Sequence, residues 1–133
     1  MKPGTIEIPI SAGELLDKIT ILEIKAERID DVAKNANVQN ELQMLRAIWE
    51  EQVAEDDVIR EQHGKLKQIN EKLWDIEDDI RDEERNGRFG DRFVELARSV
   101  YFTNDERAQA KKTINLHLDS DIVEEKSYQD YRR

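Results

Sequence analysis

Apolar residues recur at intervals of three and four along most of this chain, and very little interrupts them. Five glycines and two prolines in 133 residues leave few breaks. That interval is the repeat of one face of an α-helix. Glu, Lys, Leu and Ile fill most of the remaining positions, and these residues support helix. Charged residues make up 39% of the chain. A fraction that high can mark disorder, but a disordered chain does not hold its apolar residues in strict register. The expectation is an all-α fold, an antiparallel bundle of four to five helices with a short extended N-terminal arm.

The arm is residues 1–11, where Thr5 to Ile10 alternate polar and apolar and Pro9 keeps the segment out of any central strand. Ser11-Ala12-Gly13-Glu14 is a capping box. In it the Ser11 hydroxyl accepts from the backbone three residues on, Glu14 reaches back, and Ile10 staples onto Leu15 or Leu16. Helix one is predicted over 12–30, with Leu15, Ile19, Leu22, Ala26 and Ile29 as its main stripe and Ile21 and Ile24 opposite. Apolar on two sides, it belongs in the middle of the bundle. Asn35-Ala36-Asn37 reads as a turn. Helix two follows over 38–54 with Val38, Leu42, Leu45 and Trp49 as its seam. Asp56 and Asp57 suit the start of the next helix.

His63-Gly64 weakens or breaks helix three early, leaving a strong part over 65–85 with Leu66, Ile69, Leu73, Ile76 and Ile80. Asn86-Gly87 is a C-terminal stop, Arg88-Phe89-Gly90 a tight connection and Asp91 a cap. Helix four covers 92–102, burying Phe93, Leu96, Ala97 and Val100. Thr103-Asn104-Asp105-Glu106 reads as a second capping box opening a fifth helix to about 118. Residues 119–133 form a tail, frayed or partly docked through Ile122 and Val123. The whole chain, 1–133, is one helical domain by length.

Net charge is −10, from 31 acids against 21 bases. Such a chain is repelled by nucleic acid and by anionic membrane unless its bases gather on one face. They gather only weakly, where Lys126, Arg132 and Arg133 accompany Tyr128 and Tyr131. No apolar run is long enough to insert in a membrane, and no basic segment followed by an apolar run opens the chain. With no cysteine there is neither disulfide nor thiolate chemistry. A cytoplasmic location is expected.

No phosphate-cradling glycine loop occurs, and His63 and His117 lack a paired-ligand spacing, so no cofactor is expected. Asp75, Asp78, Asp79 and Asp82 share one helix face, at the three- and four-residue spacing with which helical NTP pyrophosphatases hold magnesium. They point away from the Leu66–Ile80 stripe, and a solvated acidic face is the plainer reading. The tryptophans Trp49 and Trp74 read first as core filling and second as contact residues.

Charges inside apolar sectors carry more information, because a buried charge must pair or open onto a pocket. Glu23 falls between Ile19 and Leu16 on helix one, with Thr20 beside it. Glu77 sits beside the stripe of helix three, with Arg81 one turn on. Arg107 and Lys111 share a face with Ile114 and Leu118, bordered by Asn104 and Asn115. Lys18 and Lys25 edge helix one, and Arg98 edges helix four. The expectation is a partly buried cluster in which Glu23 and Glu77 face some of Arg81, Arg107 and Lys111. It serves either as an ion-pair network that fixes helix register or as a cationic cavity for a small anion.

Four segments carry a family resemblance: Gly13 to Lys25 (GELLDKITILEIK), Leu73 to Arg81 (LWDIEDDIR), Tyr101 to Arg107 (YFTNDER) and Val123 to Tyr128 (VEEKSY). Together the chain resembles a small bacterial and phage family of about this length, known only as a domain of unknown function. The resemblance implies no established activity. The run from Leu15 to Arg28 is also similar to the long first helix of the helical chorismate mutases. Those are dimeric enzymes that bind a dicarboxylate through Arg and Lys from several helices. That likeness implies a site drawn from Lys18, Arg28, Arg81, Arg107 and Lys111.

Two function classes stand after this reading. One is a non-catalytic interaction or accessory protein, with a protein partner or self-association as a homodimer. The other is an enzyme or sensor for a small anionic metabolite, chorismate-mutase-like or sugar-phosphate-related, held between helices.

Overall fold

The computed structural model describes residues 3–132. Met1 and Lys2 of the expected arm and Arg133 of the weak basic patch lie outside the described residues. Four helices follow one another: α1 (Ala12–Arg28), α2 (Val32–Gln52), α3 (Asp57–Arg85) and α4 (Asp91–His117). No strand occurs among the described residues, and no described helix is long and apolar enough to cross a membrane.

α1 begins as its capping box requires. Ser11 is extended, and its side chain accepts from Glu14 N–H at 3.1 Å. The Glu14 carboxylate, expected to reach back, turns to Lys111 at 2.6 Å and Lys18 at 3.5 Å instead. α1 stops at Arg28, two residues short of expectation, with Ile29 as its C-cap.

α2 starts six residues earlier than the sequence predicted. Asp31 is its N-cap, accepting from Lys34 N–H at 2.9 Å. Asn35 is therefore helical, and its side-chain amide donates to the Ala26 and Ile29 carbonyls, both at 2.9 Å. The Asn-rich segment thus closes the end of α1 rather than making a turn.

α3 runs unbroken through His63-Gly64. Asp56 caps it, accepting from Ile59 N–H at 2.9 Å. Glycine inside a helix costs about 1 kcal/mol relative to alanine, which the helix bears: Ile59 and Leu66 on either side are fully buried. The helix stops at Asn86-Gly87 as expected, with Gly87 at φ 65° and Arg88 N–H returning to the Glu83 carbonyl. Gly90, not Asp91, is the N-cap of α4, and Asp91 lies in the first turn.

α4 continues through Thr103-Asn104-Asp105-Glu106, so the fifth helix is part of the fourth. Thr103 does not cap because it is wholly buried, with its hydroxyl bonded to nothing among the described residues. α4 ends at His117, where Asp119 adopts φ 54° and Ser120 N–H reaches back to the Asn115 carbonyl.

The α1 backbone lies close to all three other helices, α3 and α4 lie along each other, and the α2 backbone approaches only α1 closely. The helices pack as a bundle around one cluster. It contains Leu15, Leu16, Ile19 and Leu22 of α1, Val38, Leu42 and Trp49 of α2, Ile59 and Leu66 of α3, and Ala110 and Ile114 of α4. Each buried leucine or isoleucine contributes on the order of 2 kcal/mol of transfer free energy. Residues 3–11 carry no helix, and Ile10 packs against the cluster.

Candidate functional site

Gly13, Asp17, Thr20 and Ile24 recur at spacings of four, three and four, so they share a second side of α1. All four are buried. Asp17 has no exposed surface. A carboxylate in that position is tolerable only if fully bonded, and it is. Its Oδ1 accepts from Arg107 Nε and Asn70 Nδ2, each at 2.9 Å, and its Oδ2 accepts from Arg107 Nη2. Asn70 also donates to Thr20 Oγ1 at 3.0 Å, and Thr20 donates to the Asp17 carbonyl at 2.8 Å. The two-pronged Arg107 contact holds the guanidinium pKa above its usual value, against the effect of burial.

One turn along α4, the Lys111 ammonium lies between Glu14 at 2.6 Å and Glu124 at 2.9 Å. Burial pushes the Lys111 pKa down, but the bonds from Glu14 and Glu124 outweigh it and leave the amine above its ordinary range. Lys111 and Lys126 together hold the Glu124 carboxyl low. The first N–H groups of α1, which have no partner inside their own helix, are also taken from this side. Ala12 donates to Ser120 Oγ at 3.4 Å and Gly13 to Asn115 Oδ1 at 2.6 Å.

The expected cluster therefore forms in part. Arg107 and Lys111 stand in it with Asn115, and Glu23 and Glu77 do not. Glu23 bonds Arg46 at 2.9 Å and His63 at 2.8 Å, joining α1 to α2 and α3. Burial raises the Glu23 pKa, but the bonds from His63 and Arg46 prevail and lower it. The Glu23 bond raises that of His63 above its ordinary value against desolvation. Glu77 and Arg81 pair with each other along the surface of α3. Arg28 bonds Asp75 at 2.7 Å and lies over the Trp74 ring. Arg98 lies over Phe102, and Lys18 reaches Glu14 from solvent.

Of the acidic face, Asp75 is taken by Arg28, Asp79 by Arg92 at 3.4 Å and Asp82 by Arg85 at 3.0 Å, while Asp78 is exposed. No grouping of three or more carboxylates or histidines with metal-holding geometry occurs among the described residues.

Sequence reasoning missed Asp17, Asn70 and Glu124. The signal for Asp17 was present: it shares the side that Ile24 marks as apolar. Asn70 likewise sits between Leu66 and Leu73 on the α3 stripe. Glu124 lies in a segment with no periodicity to read.

A cavity of about 380 Å³ opens beside Arg107 and Lys111, walled by Tyr101, Asn104, Lys126 and Tyr128. A second, of about 460 Å³, shares Arg107 and Asn104 and includes Lys25, Trp74, Glu77 and Arg81. Arg107, Lys111 and Lys126 are matched by Asp17, Glu14 and Glu124, and Asp105 adds a further acid to the wall of the first cavity. The arrangement ties α1, α3, α4 and the tail together and leaves no surplus of positive charge there.

No curated protein and no solved structure matches the chain. The model of a family of unknown function matches residues 6–131, nearly the whole sequence. The chain belongs to that family, DUF6165.

Proposed function

We propose that the protein is a non-catalytic interaction or accessory protein. One observation carries this reading. The best placed cation, Arg107, presents two of its guanidinium nitrogens to a carboxylate with no exposed surface. A ligand that took those two nitrogens would displace Asp17 and leave a bare charge in the interior, at a cost of about 3–5 kcal/mol. Contact chemistry lies outside instead: Phe89, Val94, Tyr101 and Phe102 of the α3–α4 connection and α4 are all exposed. Aromatic side chains in such positions favour recognition of another macromolecule.

The test is thermal melting against sugar nucleotides, phosphosugars and aromatic dicarboxylates. A ligand at a hundredfold excess over its dissociation constant stabilises by about 2.7 kcal/mol, or a few degrees in a domain this size. The panel is expected to be flat. A selective shift that disappears when Arg107 and Lys111 are neutralised overturns the reading in favour of an anion site.

A further inference from the structure

Beyond α4 the chain forms no helix, yet it stays on the protein. Ser120 is tied to Asn115 and Ala12. Glu124 accepts from Lys111, and Glu125 lies 3.4 Å from Lys112. Seven residues after Glu124, the Tyr131 ring packs 5.2 Å from Tyr101 and edge-on 5.1 Å from Phe102. The contacts run backwards along α4, from Lys111 and Lys112 to Tyr101 and Phe102. Those ten residues of helix span about 15 Å, well within reach of seven extended residues.

What holds this strap is modest. Glu125–Lys112 is an exposed ion pair, which contributes little, and in the Lys111–Glu124 pair the carboxylate is 40% exposed while Glu14 also holds the ammonium. The aromatic contacts add more, but every ordered tail residue gives up conformational freedom. The packing beneath is incomplete as well: the cavity of about 380 Å³ lies between Tyr101, Arg107 and Lys111 on α4 and Lys126 and Tyr128 on the tail. The tail is also tethered close by, which gives it a high effective concentration.

We propose that the α4 face from Tyr101 to Lys112 is a docking groove for an extended acidic-aromatic peptide segment of a partner protein. Two adjacent carboxylates would meet Lys111 and Lys112, and a tyrosine about seven residues on would meet Tyr101 and Phe102. The protein's own tail has that chemistry and closes the groove in cis. This rests on the interaction reading and names the partner's chemistry.

The experiment uses the full chain with Glu124→Gln and Tyr131→Ala, both exposed positions outside the core. Fluorescence of Trp49 and Trp74 checks that the fold is kept. The probe is a labelled peptide of residues 120–132, followed by anisotropy. The opened variant should bind it at least about tenfold tighter than wild type, because the tethered competitor is gone. A peptide with Gln at 124 and 125 and Ala at 131 should not bind. Adding Lys112→Glu and Phe102→Ala to the opened variant should remove binding. Equal affinity for wild type and variant, no binding to the variant, or indifference to the altered peptide each overturns the proposal. Such a failure with a flat anion panel removes the groove and keeps the interaction reading; a selective anion shift removes that reading itself.

Discussion

Gly13 and Asn115 set how closely α1 approaches α4. The Gly13 N–H donates to Asn115 Oδ1 at 2.6 Å, and a Cβ at position 13 would lie 2.4 Å from the Lys111 carbonyl oxygen and 2.9 Å from Asn115 Oδ1. The carbonyl belongs to the body of α4 and cannot swing aside. Gly13→Ala gains up to about 1 kcal/mol of helix propensity but forces the two helices apart. A net loss of about 1–3 kcal/mol is expected from such overpacking. Urea unfolding of the variant measures it, and a variant as stable as wild type would mean that α1 can shift at no cost.

Asp17 and Arg107 should respond unequally to loss of the other. Arg107→Met strands a carboxylate with no exposed surface, and removing one partner of a buried pair costs about 3–5 kcal/mol. Asp17→Asn leaves a guanidinium whose side chain is 29% exposed and can turn to water. The smaller loss is expected there. Comparing the two variants by chemical denaturation checks the order; the reverse order contradicts the burial assigned to Asp17.

Lys111→Met gives a gentler result than a sealed ion pair would. From sequence, a register-fixing network predicts a loss of roughly 3 kcal/mol when a buried partner is orphaned. The structure lowers that figure, because Glu14 and Glu124 both reach solvent. A loss of about 2 kcal/mol is expected, that of one charge-assisted hydrogen bond. Stabilisation by the same substitution would instead indicate strained charge of the kind found at binding sites.

The Glu23–His63 pair gives stability a pH window. His63 is raised above its ordinary 6.5, so its contribution is complete below 6.5 and is lost as pH climbs through the higher folded value. Glu23 is lowered from 4.5, so its contribution is complete above 4.5 and is lost as pH falls through the lower folded value. Both contribute fully between 4.5 and 6.5. His63→Gln should therefore destabilise more at about pH 5.5 than at about pH 8.5. Denaturant midpoints at the two values decide it, and an equal effect at both would show that the proton on His63 plays no part.

The parts of the fold legible in the sequence were those written in local signals. Ser11 and Glu14 marked the start of α1, Asn86-Gly87 marked the end of α3, and Val38, Leu42 and Trp49 of the α2 seam are buried as their spacing implied, with Leu45 partly so. Local signals failed where a distant contact took the residue. Asn35 read as a turn because its amide competes with backbone bonding, yet that amide is occupied by the end of α1. Thr103 read as a cap because hydroxyls prefer helix ends, yet burial within α4 overrode that preference. In the candidate site, Arg107 and Lys111 stood out as charges on an apolar face. Their partners did not: Asp17 was hidden in a helix assigned to a different seam, and Glu124 in a segment without periodicity.

Close backbone approach to α1 alone gives α2 a distinct place in the protein's unfolding hierarchy. The Asp17–Arg107–Asn70 bonds unite α1, α3 and α4 and would survive the departure of α2. Lifting α2 away breaks the Glu23–Arg46 pair and uncovers Val38, Leu42 and Trp49, while those three helices keep their mutual contacts. Amide exchange along α2 would then proceed by sub-global opening, sooner than in the buried turns of α1. The bundle is thus graded in cooperativity, with one peripheral unit able to detach from a three-helix remainder.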